Sequence, residues 1–128
     1  MDLAQLKAAA AAAREFTVAL AGADGGLPKS MALRLITAHE AEQLALGGAS
    51  ALSNVQLLRA TLEHSVIGWQ GVLASDVVPG QPDEPLPFSA EALRLLLDER
   101  PDWERLALSA LLAKADERNT RLGLARKN

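Results

Sequence analysis

Apolar and polar residues alternate twice near the N-terminus, and then the period changes. In Glu15-Phe16-Thr17-Val18-Ala19-Leu20, Phe16, Val18 and Leu20 fall on one side and Glu15, Thr17 and Ala19 on the other. That is the two-residue period of a strand with one buried face. Ser30 to Ile36 repeats it, with Met31, Leu33 and Leu35 opposite Ala32, Arg34 and Ile36. Between them, Gly22-Ala23-Asp24-Gly25-Gly26 supplies turn residues. The pair predicts a β-hairpin whose loop is longer than the tight two-residue type. An isolated hairpin is marginal in water, so this one has to lean on helices or on another subunit's sheet.

The rest of the chain reads as helix. Asp2 with Gln5 opens a helix over Leu3 to Arg14 whose apolar side is mostly alanine, so it buries little area and stays marginal. Thr37-Ala38-His39-Glu40 is a capping box, starting a helix that runs to about Leu46 and stops at Gly47-Gly48. Ser53-Asn54-Val55-Gln56 is a second capping box, with Leu52 and Leu57 as its hydrophobic staple. The helix it opens carries Val55, Leu58, Leu62, Val66 and Trp69 at three- and four-residue spacing, a core-facing stripe ended by Gly68 and Gly71. From Ala74 to Pro87 the prolines forbid helix and central strand, which predicts a long solvated connector. Ser89 then caps a helix to about Asp98, with Phe88 and Leu93 as its staple, and Pro101 suits the first turn of a last helix reaching about Arg121.

These elements predict an α+β fold: a mostly α-helical single domain, 1-128, with an N-terminal β-hairpin. Residues 1-13 form a helical extension, 14-36 the hairpin, 37-122 the helical part and 123-128 a tail. The composition agrees. Hydrophobic residues make up 49% of 128 residues, mostly Ala and Leu, which lose little side-chain entropy in helices, and a chain of this length can bury a modest core. Without cysteine, disulfides, thiolate catalysis and Cys-based zinc sites are ruled out. No segment reaches the length of uncharged apolar sequence that a membrane span needs. The alanine run from Ala8 to Ala13 is too short and weakly hydrophobic for a signal peptide, and it lacks a clearly basic n-region, with Asp2 near the start.

Little in the sequence suggests chemistry. His39-Glu40-Ala41-Glu42 places an imidazole beside carboxylates, but Glu40 is spent on its cap, and His39 with Glu42 is too few ligands for zinc. Glu63-His64 lies on another helix. A Ser–His–acid triad has no local support, since no G-x-S-x-G elbow occurs and serines near helix starts serve as caps. The pairs Gly25-Gly26 and Gly47-Gly48 lack phosphate-loop spacing. No catalytic, cofactor-binding or metal residues are therefore expected. Nor does the chain look like a nucleic-acid binder. Net charge is −3, the aromatics are only Trp69, Trp103, Phe16 and Phe88, and between Ala38 and Leu93 Arg59 is the one Lys or Arg, too few for a reading helix. Arg118, Arg121, Arg126 and Lys127 read as a solvated end.

Two features point to surfaces instead. Trp69 is either a core anchor closing its corner or a partner hot spot. In the last helix, Leu106, Ala107, Ala110, Leu111 and Ala113 follow Trp103, while Leu108, Leu112 and Ala115 lie partly off that line. The apolar arc is wider than one core contact requires, so the helix is either central or turned in part toward another chain. Leu108, Leu112 and Ala115 are the candidate partner-binding residues.

Trp69-Gln70-Gly71-Val72, Pro87-Phe88-Ser89, the run Leu93 to Leu97, and Pro101 resemble in order and spacing the tail assembly chaperones of long-tailed, lambda-like bacteriophages and prophages. Met31 to Glu40 resembles that family's second strand entering its first helix, and the resemblance covers roughly 14–116. It implies structural roles for Trp69, Gly71, Phe88 and Ser89. It also implies a non-enzymatic protein that binds and solubilises the tape measure protein in the cytoplasm of the host cell, and that is absent from the mature virion. In the family, a longer frameshifted form recruits tail tube subunits, and several copies coat the tape measure, so self-association is expected. Neither nucleic acid nor membrane is an expected partner. A small helical nucleic-acid-binding regulator is the alternative. A small hydrolase would require His39 or His64 in a cleft beside Ser or Asp.

Overall fold

A computed structural model describes residues 2–20, 28–48 and 54–123. Helix α1 (Leu3–Arg14) starts on the Asp2–Gln5 box: the Gln5 N–H donates to the Asp2 carboxylate at 2.8 Å, and the Asp2 N–H to Gln5 Oε1 at 3.0 Å. None of its residues is buried. It passes without a loop into β1 (Glu15–Leu20), which pairs antiparallel with β2 (Lys29–Arg34). Val18 and Leu20 of β1, and Met31 and Leu33 of β2, point into the core, and Leu35 continues that face just beyond the strand. The alternation therefore sets which side of the hairpin is covered.

The hairpin gains a third strand that the apolar periodicity concealed. The helix expected to run from about Val55 to Trp69 is α3 (Asn54–Ser65), and Val66–Gln70 is β3, antiparallel to β2 in a sheet of order β1-β2-β3. Val66 and Ile67 are β-branched and Gly68 disfavours helix, so the strand is locally favoured. The helical spacing of Val66 and Trp69 has a different origin. Val66 pairs with Leu33, Gly68 with Ala32 and Trp69 with Met31, with the register shifting between Ala32 and Leu33. This irregularity inserts one residue, as a β-bulge does, and returns both Val66 and Trp69 to the core face although they are three residues apart. The predicted stripe is corrected at its other end too: Val55 is 75% exposed and Leu58 is 38% exposed, and only Leu62 and Val66 of the five are buried.

Helix α2 (Ala38–Gly48) extends through Gly47 and Gly48 instead of stopping before them. The predicted connector is shorter and better anchored than its prolines suggested. It contains α4 (Ala74–Val77), Leu73 and Pro85 form an antiparallel bridge, the Leu86 N–H donates to Val72 O at 2.9 Å and the Ala74 N–H to Glu84 O at 2.8 Å. Helices α5 (Ala90–Glu99) and α6 (Pro101–Arg121) complete the chain, Ser89 accepting from the Ala92 N–H and Pro101 occupying the first turn. One hydrophobic cluster joins the sheet to Leu62, Val72, Val77, Leu93, Leu96, Leu97, Trp103, Ala107 and Leu111. The predicted turn at Gly22–Gly26, the cap and staple at Ser53 and Leu52, and the tail from residue 124 lie outside the described residues.

Candidate binding surface

The segment richest in sequence motifs folds into a joint. Trp69, on the core face of β3, is half-buried; its indole Nε1–H donates to Leu86 O at 2.7 Å, and its ring meets Phe88 edge-on at 4.9 Å between centroids. Gly71 turns the chain at φ 78°. Val72 is buried, and Leu86 returns beside it. Trp69, Gly71, Phe88 and Ser89 thus hold the end of the sheet to the start of α5. Phe88, 37% exposed, covers Trp69 rather than entering the core.

Below this joint is an ion pair that the sequence did not reveal. The Lys29 ammonium, whose side chain is 5% exposed, lies 3.0 Å from Asp76 Oδ2 and donates to Gly71 O at 3.1 Å. Asp76 also accepts from the Leu73 N–H, capping α4, and its carbonyl accepts from Arg100 at 2.8 Å. Arg100 lies 3.8 Å over the Trp103 ring and forms two bonds with Asp102. A buried cation needs this degree of pairing. The hairpin, α4 and the α5–α6 junction are therefore cross-linked by polar contacts.

Thr37 and Glu40 form their predicted box, the Glu40 N–H donating to Thr37 Oγ1 at 3.1 Å and the Thr37 N–H to Glu40 Oε1 at 2.9 Å. Glu40 does more than cap. Arg34 of β2 binds its two oxygens at 3.0 and 2.7 Å, and His64 Nε2 of α3 lies 2.8 Å from Oε2. One carboxylate joins β2, α2 and α3. The Arg34 guanidinium, then the Thr37 N–H and His64, hold the Glu40 carboxyl well below the usual carboxylate range. With the folded value below the ordinary 4.5, Glu40 stabilises the fold fully above that pH, and the contribution fades as pH falls beneath it. Glu40→Gln is expected to lower the urea midpoint at about pH 7, with the gap to wild type narrowing as pH falls below 4.5 but still open at about pH 3, because the folded carboxyl is held well below the usual range. A gap independent of pH would show that ionisation of Glu40 contributes nothing.

His64 is thus engaged with Glu40, and His39 is exposed on α2. Among the described residues, no three His, Asp or Glu side chains are grouped to hold a metal ion, and no helix is long and apolar enough to cross a membrane.

Two open grooves flank the seam between α3 and α6. The first, about 400 Å³, is lined by Val55, Leu58, Leu62 and Leu108, with Arg59 held between Asp98 and Glu104. The second, about 370 Å³, lies between the C-terminal ends of α1, α3 and α6, with Leu35, Ile36, Leu111, Leu112 and Ala115 on its walls. The candidate stripe Leu108, Leu112, Ala115 is therefore divided: Leu108 is half-buried in the first groove, while Leu112, 56% exposed, and the half-buried Ala115 line the second. Trp103, Ala107 and Leu111 form the buried side of α6, so this helix both packs into the core and presents apolar surface. No family model, curated protein or solved structure matches the chain in comparisons with each.

Proposed function

We propose that this chain is a non-enzymatic phage tail assembly chaperone that binds the tape measure protein and keeps it soluble. The phage assignment comes from the resemblance carried by Trp69 to Val72, Pro87 to Ser89 and Pro101. The observation that carries the binding role is the open apolar seam along α3 and α6, where Val55, Leu58 and Leu112 are exposed beside two grooves. Such grooves suit an amphipathic helix, which buries its own stripe there. The charged groups Lys29, Arg34, Glu40, Asp76 and Arg100 are spent holding elements together, which supports a binding module over an enzyme. Self-association fits the same reading, because β1 and β3 are sheet edges and α1 presents Leu3 and Leu6.

The test is co-expression with the tape measure protein that this reading expects in a neighbouring gene, scored as soluble yield. Wild type is expected to raise the yield. Leu112→Asp is expected to abolish the gain while leaving the fold intact, because it puts an unpaired carboxylate into the contact but not into the core. Leu108 is less suitable for this, since a carboxylate at its half-buried position would also disturb α3. No gain with wild type would overturn the chaperone reading. Equal gain with a folded Leu112→Asp variant would exclude the second groove.

A further inference from the structure

The two grooves differ in charge. In the first, Arg59 is neutralised by Asp98 and Glu104. The second is bordered by Arg14, at the end of α1, and Arg118, in the last turn of α6. Neither guanidinium has a carboxylate partner among the described residues. Other cations nearby are engaged: Lys114 and Arg121 both reach Glu117, and Arg34 is held by Glu40. Placement in a last helical turn suits the helix dipole, but it gives the guanidinium donors no carboxylate among the described residues. Ser65, which lines this groove, is fully buried, and its Oγ has no partner among the described residues.

Unpaired arginines beside an aliphatic trough are complementary to one kind of ligand. That ligand presents carboxylates next to aliphatic side chains, because guanidinium recognises carboxylate through paired, charge-assisted hydrogen bonds. A volume of about 370 Å³ holds one or two such side chains rather than a whole domain. The chain as a whole carries a net charge of −3, so attraction of an acidic segment has to come from local cations such as these.

We propose that the second groove binds an acidic amphipathic helix of the partner. Its Leu or Ile side chains lie against Ile36, Leu112 and Ala115, and its Asp or Glu carboxylates pair with Arg14 and Arg118. The proposal takes the partner's identity from the chaperone reading and adds which of its segments is held: one with carboxylates flanking an aliphatic stripe.

The test uses the full chain and two synthetic amphipathic helices of about 16 residues with the same leucine stripe, one flanked by Glu and one by Lys. Fluorescence anisotropy of labelled peptides reads the affinity across a salt series. The Glu peptide is expected to bind at least about tenfold more tightly than the Lys peptide, and the preference is expected to shrink with salt. Arg14→Gln with Arg118→Gln is expected to remove the preference without changing the melting temperature, and Arg14→Glu with Arg118→Glu to reverse it. Equal affinity for both peptides overturns the proposal, as does an unchanged preference in the glutamine variant. Tighter binding of a short DNA duplex at the same ionic strength would assign the arginines to phosphate and also overturn it. So would self-association that depends on both arginines in the absence of peptide binding, which would give the groove to a second copy. Because the peptides are designed, charge preference without any tape measure solubilisation would remove the chaperone reading while leaving the groove's specificity in place.

Discussion

Trp103→Ala is expected to lower the unfolding free energy by about 3–5 kcal/mol. Trp103 is completely buried in the first turn of α6, within the cluster that joins the sheet to α5. Truncation would leave a cavity the size of an indole, which a close-packed core fills only in part. It would also remove the ring beneath Arg100, whose guanidinium reaches Asp76 O on α4, so the loss spreads to the Lys29–Asp76 pair. Trp69→Ala is expected to cost less, about 1–3 kcal/mol, because Trp69 is half-buried and would give up one hydrogen bond and one edge contact with Phe88. Urea denaturation of the two variants side by side measures the difference. If Trp69→Ala proved the more damaging, the joint and not the core would be the main anchor of α5. A Trp103→Ala loss under about 1 kcal/mol would contradict the burial itself.

Where one apolar face determined the structure, it was legible in the sequence. Met31, Leu33 and Leu35 alternate, and they lie on the core side of β2. The caps at Asp2, Thr37 and Ser89 were readable because a cap needs only a short oxygen-bearing side chain at a fixed offset. Strand β3 was not, because the irregularity after Val66 produces a spacing of three that imitates a helix turn. The placement of Val55 and Leu58 on an open groove was hidden for a related reason: a stripe at helical spacing shows that a face exists, but not whether anything within the same chain covers it. The two polar hubs were invisible for want of any local signature. Glu40 has a readable partner in Thr37, but Arg34 and His64 reach it only through folding, and Lys29 is 47 positions before Asp76. The arginines bordering the second groove are 104 positions apart in sequence, on helices that the fold alone brings together.

Gly71→Ala is expected to cost about 3 kcal/mol or more, through two effects that a control can separate. Gly71 has φ 78°, a conformation L residues avoid because Cβ crowds the backbone, at a cost of roughly 1–2 kcal/mol. A Cβ there would also sit 2.4 Å from Pro28 O and 3.2 Å from Lys29 Cα. Both are backbone atoms with little room to yield. Pro28 has its φ locked by its ring, and Lys29 is paired in the sheet with its ammonium bound to Gly71 O and Asp76. Relieving the clash would push β2 away from the turn after β3 and pull on that buried pair, where an uncompensated charge is costly. Gly80 supplies the control. Its φ is 93°, yet an added Cβ would meet nothing within 4 Å. Gly80→Ala is therefore expected to cost only the conformational part, about 1 kcal/mol, offset slightly by the stiffer unfolded chain. Equal losses for the two variants in urea denaturation would mean that the close approach of Pro28 to Gly71 contributes nothing to the corner. A loss at Gly71 two or more times that at Gly80 is the expected result, and it would identify the glycine of the Trp69-to-Val72 motif as a requirement of packing against the hairpin.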